Sequence, residues 1–136
     1  MPITKQSARQ QIIDANVDVA FGDIPTTATA YSAIDVPVNS IITGGDLVVT
    51  TAWNTGTTAT LSVGDASSAA RYLGATDIKT AARTALVPTG FLCTSTEPAV
   101  TVTTAFVGTA ATAGGFRLRL SYIVKGRAQF TTGLGR

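Results

Sequence analysis

Alternation of apolar and polar residues with a period of two is the main pattern along this chain. Residues 13–21 carry apolar side chains at every second position, with Asp14 and Asp18 between them. Residues 58–63 alternate Thr and Ser with Ala59, Leu61 and Val63, and residues 116–124 alternate in the same way. Such alternation is typical of strands that bury one face. The pattern therefore predicts at least three half-buried strands.

Shorter extended segments bounded by Gly, Pro and Asn lie between these strands. Gly44-Gly45 is a strong turn signal, and Pro37 predicts that the strand before it ends or lies at a sheet edge. Eight or nine short strands predict an all-β fold, an antiparallel sandwich or barrel. The additional segments are residues 28–36, 40–43, 47–53, 84–87, 91–94 and 99–107.

A helix signal interrupts this series after residue 64. Asp65 is a good N-cap for the segment Ala66–Leu73, and Gly74 suits the position that ends a helix. Thr76 or Asp77 could cap another turn. We therefore expect one or two short helical turns around residues 66–80.

The length of 136 residues predicts one domain. Residues 1–11 are polar, carry Lys5 and Arg9 and have no acidic residue. We expect residues 1–11 to form a flexible N-terminal arm and residues 12–136 to form a single β-sandwich domain.

The composition changes the picture of the surface. Charged residues make up 13% of the chain, against about 25% in ordinary soluble domains. Threonine and alanine together make up about a third. One interpretation is a β domain with small side chains, and another is a surface that neighbouring subunits cover. We favour the two combined, a β domain that assembles.

The charges are divided unevenly along the chain. Residues 1–65 contain two basic and six acidic side chains, a net charge of −4, and residues 66–136 contain eight basic and two acidic, a net charge of +6. The division is either chance among few charges or a sign of complementary faces on neighbouring subunits.

The chain lacks the residues that several kinds of catalytic and metal-binding site require. The chain has no histidine, which removes Ser-His-Asp and Cys-His catalysis and the usual zinc ligand sets. Cys93 is the single cysteine, and we expect it to be a small buried hydrophobe. No apolar run is long enough for a membrane helix, and the first residues lack a signal-peptide core. We assign no catalytic, cofactor or metal residue and expect synthesis in a reducing cytoplasm.

Asp65 and Asp77 belong to the set of polar residues that most resembles a functional motif. They could form a glycosidase pair, but capping and an Arg71–carboxylate bond that anchors the loop explain them better. Asp14 and Asp18 likewise fit a solvated strand face better than a calcium loop.

Three aromatic residues offer another possible site. Trp53, Tyr31 and Phe106 could form a sugar-binding platform, although packing in the core or an interface is the favoured interpretation.

One basic cluster lies near the end of the chain. Arg117 and Arg119 share a strand face that points outward if the leucines between them point inward. Nucleic-acid binding is disfavoured because the chain is nearly neutral and has no recognition helix or metal finger. Pairing with carboxylates of a neighbouring subunit suits arginine forks better. The cluster consists of Arg117, Arg119, Lys125 and Arg127, with Tyr122 and Phe130 nearby.

Two stretches, AWNTGTTATLSVGDASSAARYLGATDI and RLRLSYIVKGRAQF, resemble small structural proteins of tailed bacteriophage particles. The chain looks most like the jelly-roll cement, or decoration, proteins on the outside of icosahedral heads. The resemblance covers roughly residues 45–130. It implies a non-enzymatic protein of the virion exterior without cofactors, made in the host cytoplasm, whose partners are the major capsid protein and itself, as a homodimer or homotrimer. No nucleic acid or membrane is implied.

The expected contact surfaces are the arm, the strand face and the last residues, 127–136. The residues assigned to them are Lys5, Arg9, Arg117, Arg119, Arg127 and Phe130. Two alternatives stay open: another virion subunit (a head fibre base, tail tube or baseplate part) and a carbohydrate-binding surface module.

Overall fold

A computed structural model describes residues 12–94 and 99–124. Within these residues the backbone forms eight strands and one short 3₁₀ turn, Phe21–Asp23. The strands are β1 (Ile13–Ala20), β2 (Ala30–Asp35), β3 (Ser40–Thr51), β4 (Thr58–Gly64), β5 (Leu73–Asp77), β6 (Arg83–Ala85), β7 (Ala99–Val107) and β8 (Gly115–Val124).

The strands form two four-stranded antiparallel sheets. The first sheet has the order β1-β8-β3-β6 and the second has the order β2-β7-β4-β5. Successive strands mostly lie in different sheets, so the pairs join distant parts of the chain; Ile13, for example, pairs with Tyr122. The prediction of an all-β antiparallel sandwich is confirmed.

The core lies between the two sheets. On β8, Leu118 and Leu120 are fully buried, and on β4, Leu61 and Val63 are fully buried as well. Each such side chain contributes about 1.5–3 kcal/mol when it leaves water. The apolar positions of the alternating pattern therefore form the inner faces of both sheets.

The prediction that β1 buries its apolar face and exposes its aspartates is confirmed. Val19 is buried, Val17 is partly buried, and Asp14 and Asp18 are exposed on the outer face. In β2 the alternation fails, because a bulge shifts the register between Ser32 and Ile34. The strand ends at Asp35 and lies at a sheet edge, as Pro37 predicts.

Gly44 and Gly45 do not form the predicted turn. They lie inside β3, a continuous strand of 12 residues, where the register with β8 shifts between Ile42 and Gly44. Gly45 has φ of +145°, a conformation that glycine adopts far more readily than other residues. The glycine pair thus allows a bulge and a close approach of β8.

The helical turns predicted around residues 66–80 are wrong. Backbone bonds from Asp65 N to Ser68 O and from Tyr72 N to Val63 O return the chain to β4 within a few residues. The chain then continues as β5, in which Gly74 is a strand residue. A helix of this length is marginal in water, and strand pairing with β4 replaces it.

Leu92 also departs from its predicted strand. It makes one isolated bridge with Ile41, so residues 91–94 are an extended connection. The predicted arm, residues 1–11, lies outside the described residues. In the part of the chain that the structure describes, no helix has the length and hydropathy to cross a membrane.

Replacement of Gly45 with alanine tests the close approach of β3 and β8. An added Cβ would overlap the carbonyl oxygen of Arg119 and lie 2.7 Å from Leu120 Cα. We expect Gly45→Ala to lower the free energy of unfolding by about 2–4 kcal/mol in urea titrations. Gly44→Ala is the matched control, because its Cβ position has no atom within 4 Å. Equal losses in both variants would contradict the bulge.

Candidate functional site: the outer faces of the sheets

Arg117 and Arg119 project from the outer face of the first sheet, as their alternation with buried leucines predicts. Their side chains are 52% and 57% exposed. Tyr122 points the opposite way and is buried. Among the described residues, the basic side chains of β8 therefore have no aromatic neighbour on their own strand face, an arrangement that does not favour base stacking.

Both arginines already have carboxylate partners in the same chain. Arg117 Nε donates to Asp18 Oδ1 at 2.9 Å, and an Nη of Arg119 donates to Asp46 Oδ2 at 3.2 Å. Arg83 Nε also donates to Asp46 Oδ2, at 2.9 Å. We call the set Asp14, Asp18, Asp46, Arg83, Arg117 and Arg119 the charged face.

The charged face accounts for much of the uneven charge division along the chain. Strand β8 places Arg117 opposite Asp18 on one side and Arg119 opposite Asp46 on the other. Acidic residues of the first half thus pair with basic residues of the second half inside one sheet. Contact of this face with a neighbouring subunit stays a prediction.

The ion pairs of the charged face differ in exposure. Asp18 is 71% exposed, so its pair with Arg117 is open to water and contributes about 0–1 kcal/mol. Asp46 is 8% exposed and holds two arginines whose guanidinium groups reach solvent. The Arg117 fork can therefore turn toward a partner carboxylate at small cost, and Asp46 keeps its bond to Arg83 if Arg119 turns toward a partner.

The outer face of the second sheet has a different chemistry. Thr60 pairs with Ala105 across β4 and β7, and Ser62 pairs with Thr103. The Thr60 hydroxyl donates to the Ala105 carbonyl at 3.4 Å. Thr101 is buried there, and the hydroxyl oxygens of Thr101 and Thr103 have almost no contact with solvent. The central strands carry small neutral side chains on this side, which we call the hydroxyl face: Thr58, Thr60, Ser62, Thr101, Thr103 and Ala105.

Asp65 anchors the loop that follows β4. Its buried carboxylate accepts hydrogen bonds from the backbone N–H groups of Ser67 and Ser68, at 3.1 and 2.9 Å. It also forms an ion pair with Arg71, whose guanidinium lies 3.5 Å from the centroid of the Phe91 ring. The predicted loop anchoring through Asp65 and Arg71 is confirmed.

Tyr72 extends this anchor into the core. Its hydroxyl lies 3.8 Å from Cys93 Sγ, and both residues are buried. Burial, and then the nearby Cys93, raise the pKa of Tyr72 well above its ordinary value. The phenol therefore stays neutral at physiological pH, and Cys93 is the small buried hydrophobe that the sequence predicts.

The carboxylates weighed for chemistry have structural partners. Asp77 Oδ1 accepts a hydrogen bond from the backbone N–H of Lys79 at 3.2 Å, and Asp14 Oδ1 accepts one from the Ser121 hydroxyl at 2.6 Å. Across residues 12–94 and 99–124, no group of three or more potential metal-ligating side chains comes together.

The sugar-binding platform does not form around Trp53. Trp53 is 2% exposed, and its ring centroid lies 6.3 Å from that of Phe116. Gly114 lies against the ring so closely that a Cβ there would be 2.7 Å from Trp53 Cγ. Tyr31 and Phe106 are partly buried against the core. Core packing, the favoured interpretation, is confirmed for Trp53.

Four of the predicted contact residues lie outside the described residues: Lys5, Arg9, Arg127 and Phe130. Sequence reasoning also missed the role of Asp46 and Arg83 in the charged face. Their opposite charges carry a signal only once strand register is known, because they lie on different strands.

The Asp65 anchor gives a stability prediction. Asp65→Ala removes a buried carboxylate that accepts two backbone hydrogen bonds and forms the ion pair with Arg71. We therefore expect the free energy of unfolding to fall by about 3 kcal/mol. Asp18→Ala is the matched control, since it removes an exposed arginine pair and should cost less than about 1 kcal/mol. Urea denaturation measures both values. A loss for Asp65→Ala no larger than that of the control would show that the loop does not depend on this carboxylate.

The chain is similar to known proteins in its structure, and searches by sequence found no match. No protein-family model matches the chain, and no curated protein matches its sequence. A chain of the cyanophage Pam1 capsid asymmetric unit is 26% identical, with a TM-score of 0.67 over 91% of this chain and 92% of that one.

Two further capsid structures share the fold. A chain of the Ralstonia phage GP4 capsid is 16% identical, with a TM-score of 0.64 over 96% of this chain and 91% of that one. A chain of the acid-stable capsid of Helicobacter pylori bacteriophage KHP30 is 16% identical, with a TM-score of 0.59 over 84% and 92%. These three structures are chains of phage capsids, and the 26% identity with the Pam1 chain supports a structural role in a phage virion.

Proposed function

We propose that this chain is a capsid cement, or decoration, protein that binds the outside of a phage head and stabilises the capsid lattice. The observation that carries the proposal is the similarity to a chain of the cyanophage Pam1 capsid along 91% of this sequence. That similarity supports a virion component. The exterior position and the cement role are our inference from the surface chemistry and from the resemblance in sequence.

We also infer that the sandwich is a jelly roll. Strand β1 pairs with β8, β2 with β7, β3 with β6 and β4 with β5. A long ribbon folded into those four pairs and then wrapped into two sheets gives the orders β1-β8-β3-β6 and β2-β7-β4-β5. Double-sheet jelly rolls of eight strands are common in viral capsid domains.

The two outer faces suit different contacts. The side chains of Arg117 and Arg119 are more than half exposed, so they can reach carboxylates of the major capsid protein. The hydroxyl face lacks charge on its central strands and can be covered by a neighbour without the cost of burying ions. The arm residues Lys5 and Arg9, and Arg127 and Phe130 near the end of the chain, remain proposed contacts.

Stabilisation then follows from mass action. A protein that binds the assembled lattice but not its separated subunits stabilises the assembly by its binding free energy. This mechanism needs no catalytic residue, cofactor or metal. It also needs no nucleic acid, and the carboxylate partners of Arg117 and Arg119 favour a protein surface.

Heads assembled without this chain provide the test. Addition of the purified chain is expected to decorate them in a saturable way and to raise the temperature at which they release DNA. The fluorescence of a DNA-binding dye, followed as the heads are heated, measures that temperature. Absence of binding to heads, or binding without a change in heat resistance, would contradict the cement role.

A matched pair of variants tests the binding surface in the same assay. Arg117→Glu with Arg119→Glu should weaken head binding by about tenfold or more, because both charges on the proposed contact are reversed. Arg83→Glu is the control: it breaks an ion pair with the same Asp46 carboxylate, but on β6 at the far edge of the sheet. Equal binding of all variants would move the capsid contact away from β8.

A further inference from the structure

An apolar groove runs along the open side of the sandwich, between the edge strands β1 and β2. Its volume is about 240 Å³. Asp18 and Asp23 also line the groove, and both are exposed. The apolar lining consists of Val17, Val19, Ile24, Tyr31, Ala33 and Val102.

Both strands beside the groove have an unpaired edge. Within the described residues, β1 pairs with β8 alone and β2 pairs with β7 alone. Backbone N–H and C=O groups along such edges are open to an added strand. The groove therefore offers main-chain partners along its sides and an apolar floor.

This side of the molecule is also acidic. Asp14, Asp18, Asp23 and Asp35 are all exposed on or next to β1 and β2. The ion pairs of the described residues bring one guanidinium to this group, that of Arg117 on Asp18. A net negative charge therefore surrounds the groove.

We propose that residues 1–11 of a second copy of this chain occupy the groove as an added strand. Lys5 and Arg9 lie in this segment without any acidic residue, so its charge complements the groove. In an extended conformation Ile3, Lys5, Ser7 and Arg9 share one face. That face carries an apolar side chain for the floor and two cations for the carboxylates.

The geometry of the chain favours a second copy over the same copy. The segment ends directly before β1, so docking against its own β1 requires a tight reversal near residues 10–13. That sequence, Gln-Gln-Ile-Ile, contains none of the Gly, Asn, Asp or Pro residues that tight turns use. Eleven extended residues reach about 36–40 Å, which is enough to cross to a neighbour.

The inference concerns contact between copies and does not rest on the proposed capsid function. The experiment therefore uses the purified full chain in solution, without heads. Failure of this experiment leaves the head-binding test unaffected, and the reverse also holds.

Thiol trapping tests the arm and the groove directly. Chains carrying Ser7→Cys are mixed with chains carrying Ser32→Cys, a residue of the groove, under mild oxidation. We expect a disulfide between the two introduced thiols in different chains, identified by mass spectrometry of the linked peptides. The native Cys93 is buried and is present in every sample as the background.

The control replaces Ser32→Cys with Thr58→Cys, an exposed hydroxyl residue on β4 of the same sheet. No increase in the Ser7→Cys with Ser32→Cys product above this control would overturn the proposal. The double variant on one chain, diluted before oxidation, separates the two possible occupants. A product found only within single chains would also overturn it, since the arm would then lie in its own groove.

Charge reversal gives a second readout by analytical ultracentrifugation at low ionic strength. Lys5→Glu with Arg9→Glu should weaken self-association roughly tenfold. A partner chain with Asp18→Lys and Asp23→Lys, the two carboxylates that line the groove, should restore the association with that variant. Restoration is specific to the pairing of arm and groove, and its absence would contradict the proposed contact.

Discussion

Strand β8 is the element on which both the core and the charged face depend. It pairs with β1 on one side and β3 on the other, and its alternation buries Leu118 and Leu120 while it exposes Arg117 and Arg119. Every second residue thus contributes to packing and the others to surface chemistry. A shift of register by one residue would place arginines in the core and leucines in water, so one pairing is strongly favoured.

The two sheets share this construction but differ in what they show to solvent. In the first sheet, Arg83, Arg117 and Arg119 form ion pairs with carboxylates of neighbouring strands. The second sheet has small hydroxyl and methyl side chains on the outer side of its central strands. Low charge content is therefore not spread evenly over the molecule. We propose the uncharged face for close contact, and the arginines of the charged face as exposed donors that can select a partner. Part of the threonine-rich composition is therefore explained by the hydroxyl face, where several threonines lie side by side on β4 and β7.

Most of the fold could be predicted from period-two alternation, because burial of one strand face leaves a direct record in the sequence. The strands β1, β4 and β8 are examples. The failures have a common cause in tertiary contacts. Asp65 suggested a helix cap because the same side-chain bonds serve caps and turns. Gly44 and Gly45 suggested a turn, since a bulge needs the same backbone freedom.

The site was less predictable for a related reason. The outward direction of Arg117 and Arg119 follows from alternation on one strand, but their partners Asp18 and Asp46 lie 99 and 73 residues away in sequence. Strand order decides which charges meet, and no local pattern contains that order. The groove between β1 and β2 is likewise a property of two edges that the sequence does not bring together.

The most direct test of the account is where the chain lies in an intact virion. Antibody-gold labelling of purified phage particles that contain this chain would give the position without any assumption about mechanism. The account predicts gold distributed over the surface of the heads. Gold confined to one vertex or to the tail, or no gold on particles when the antibody binds the purified chain, would contradict it.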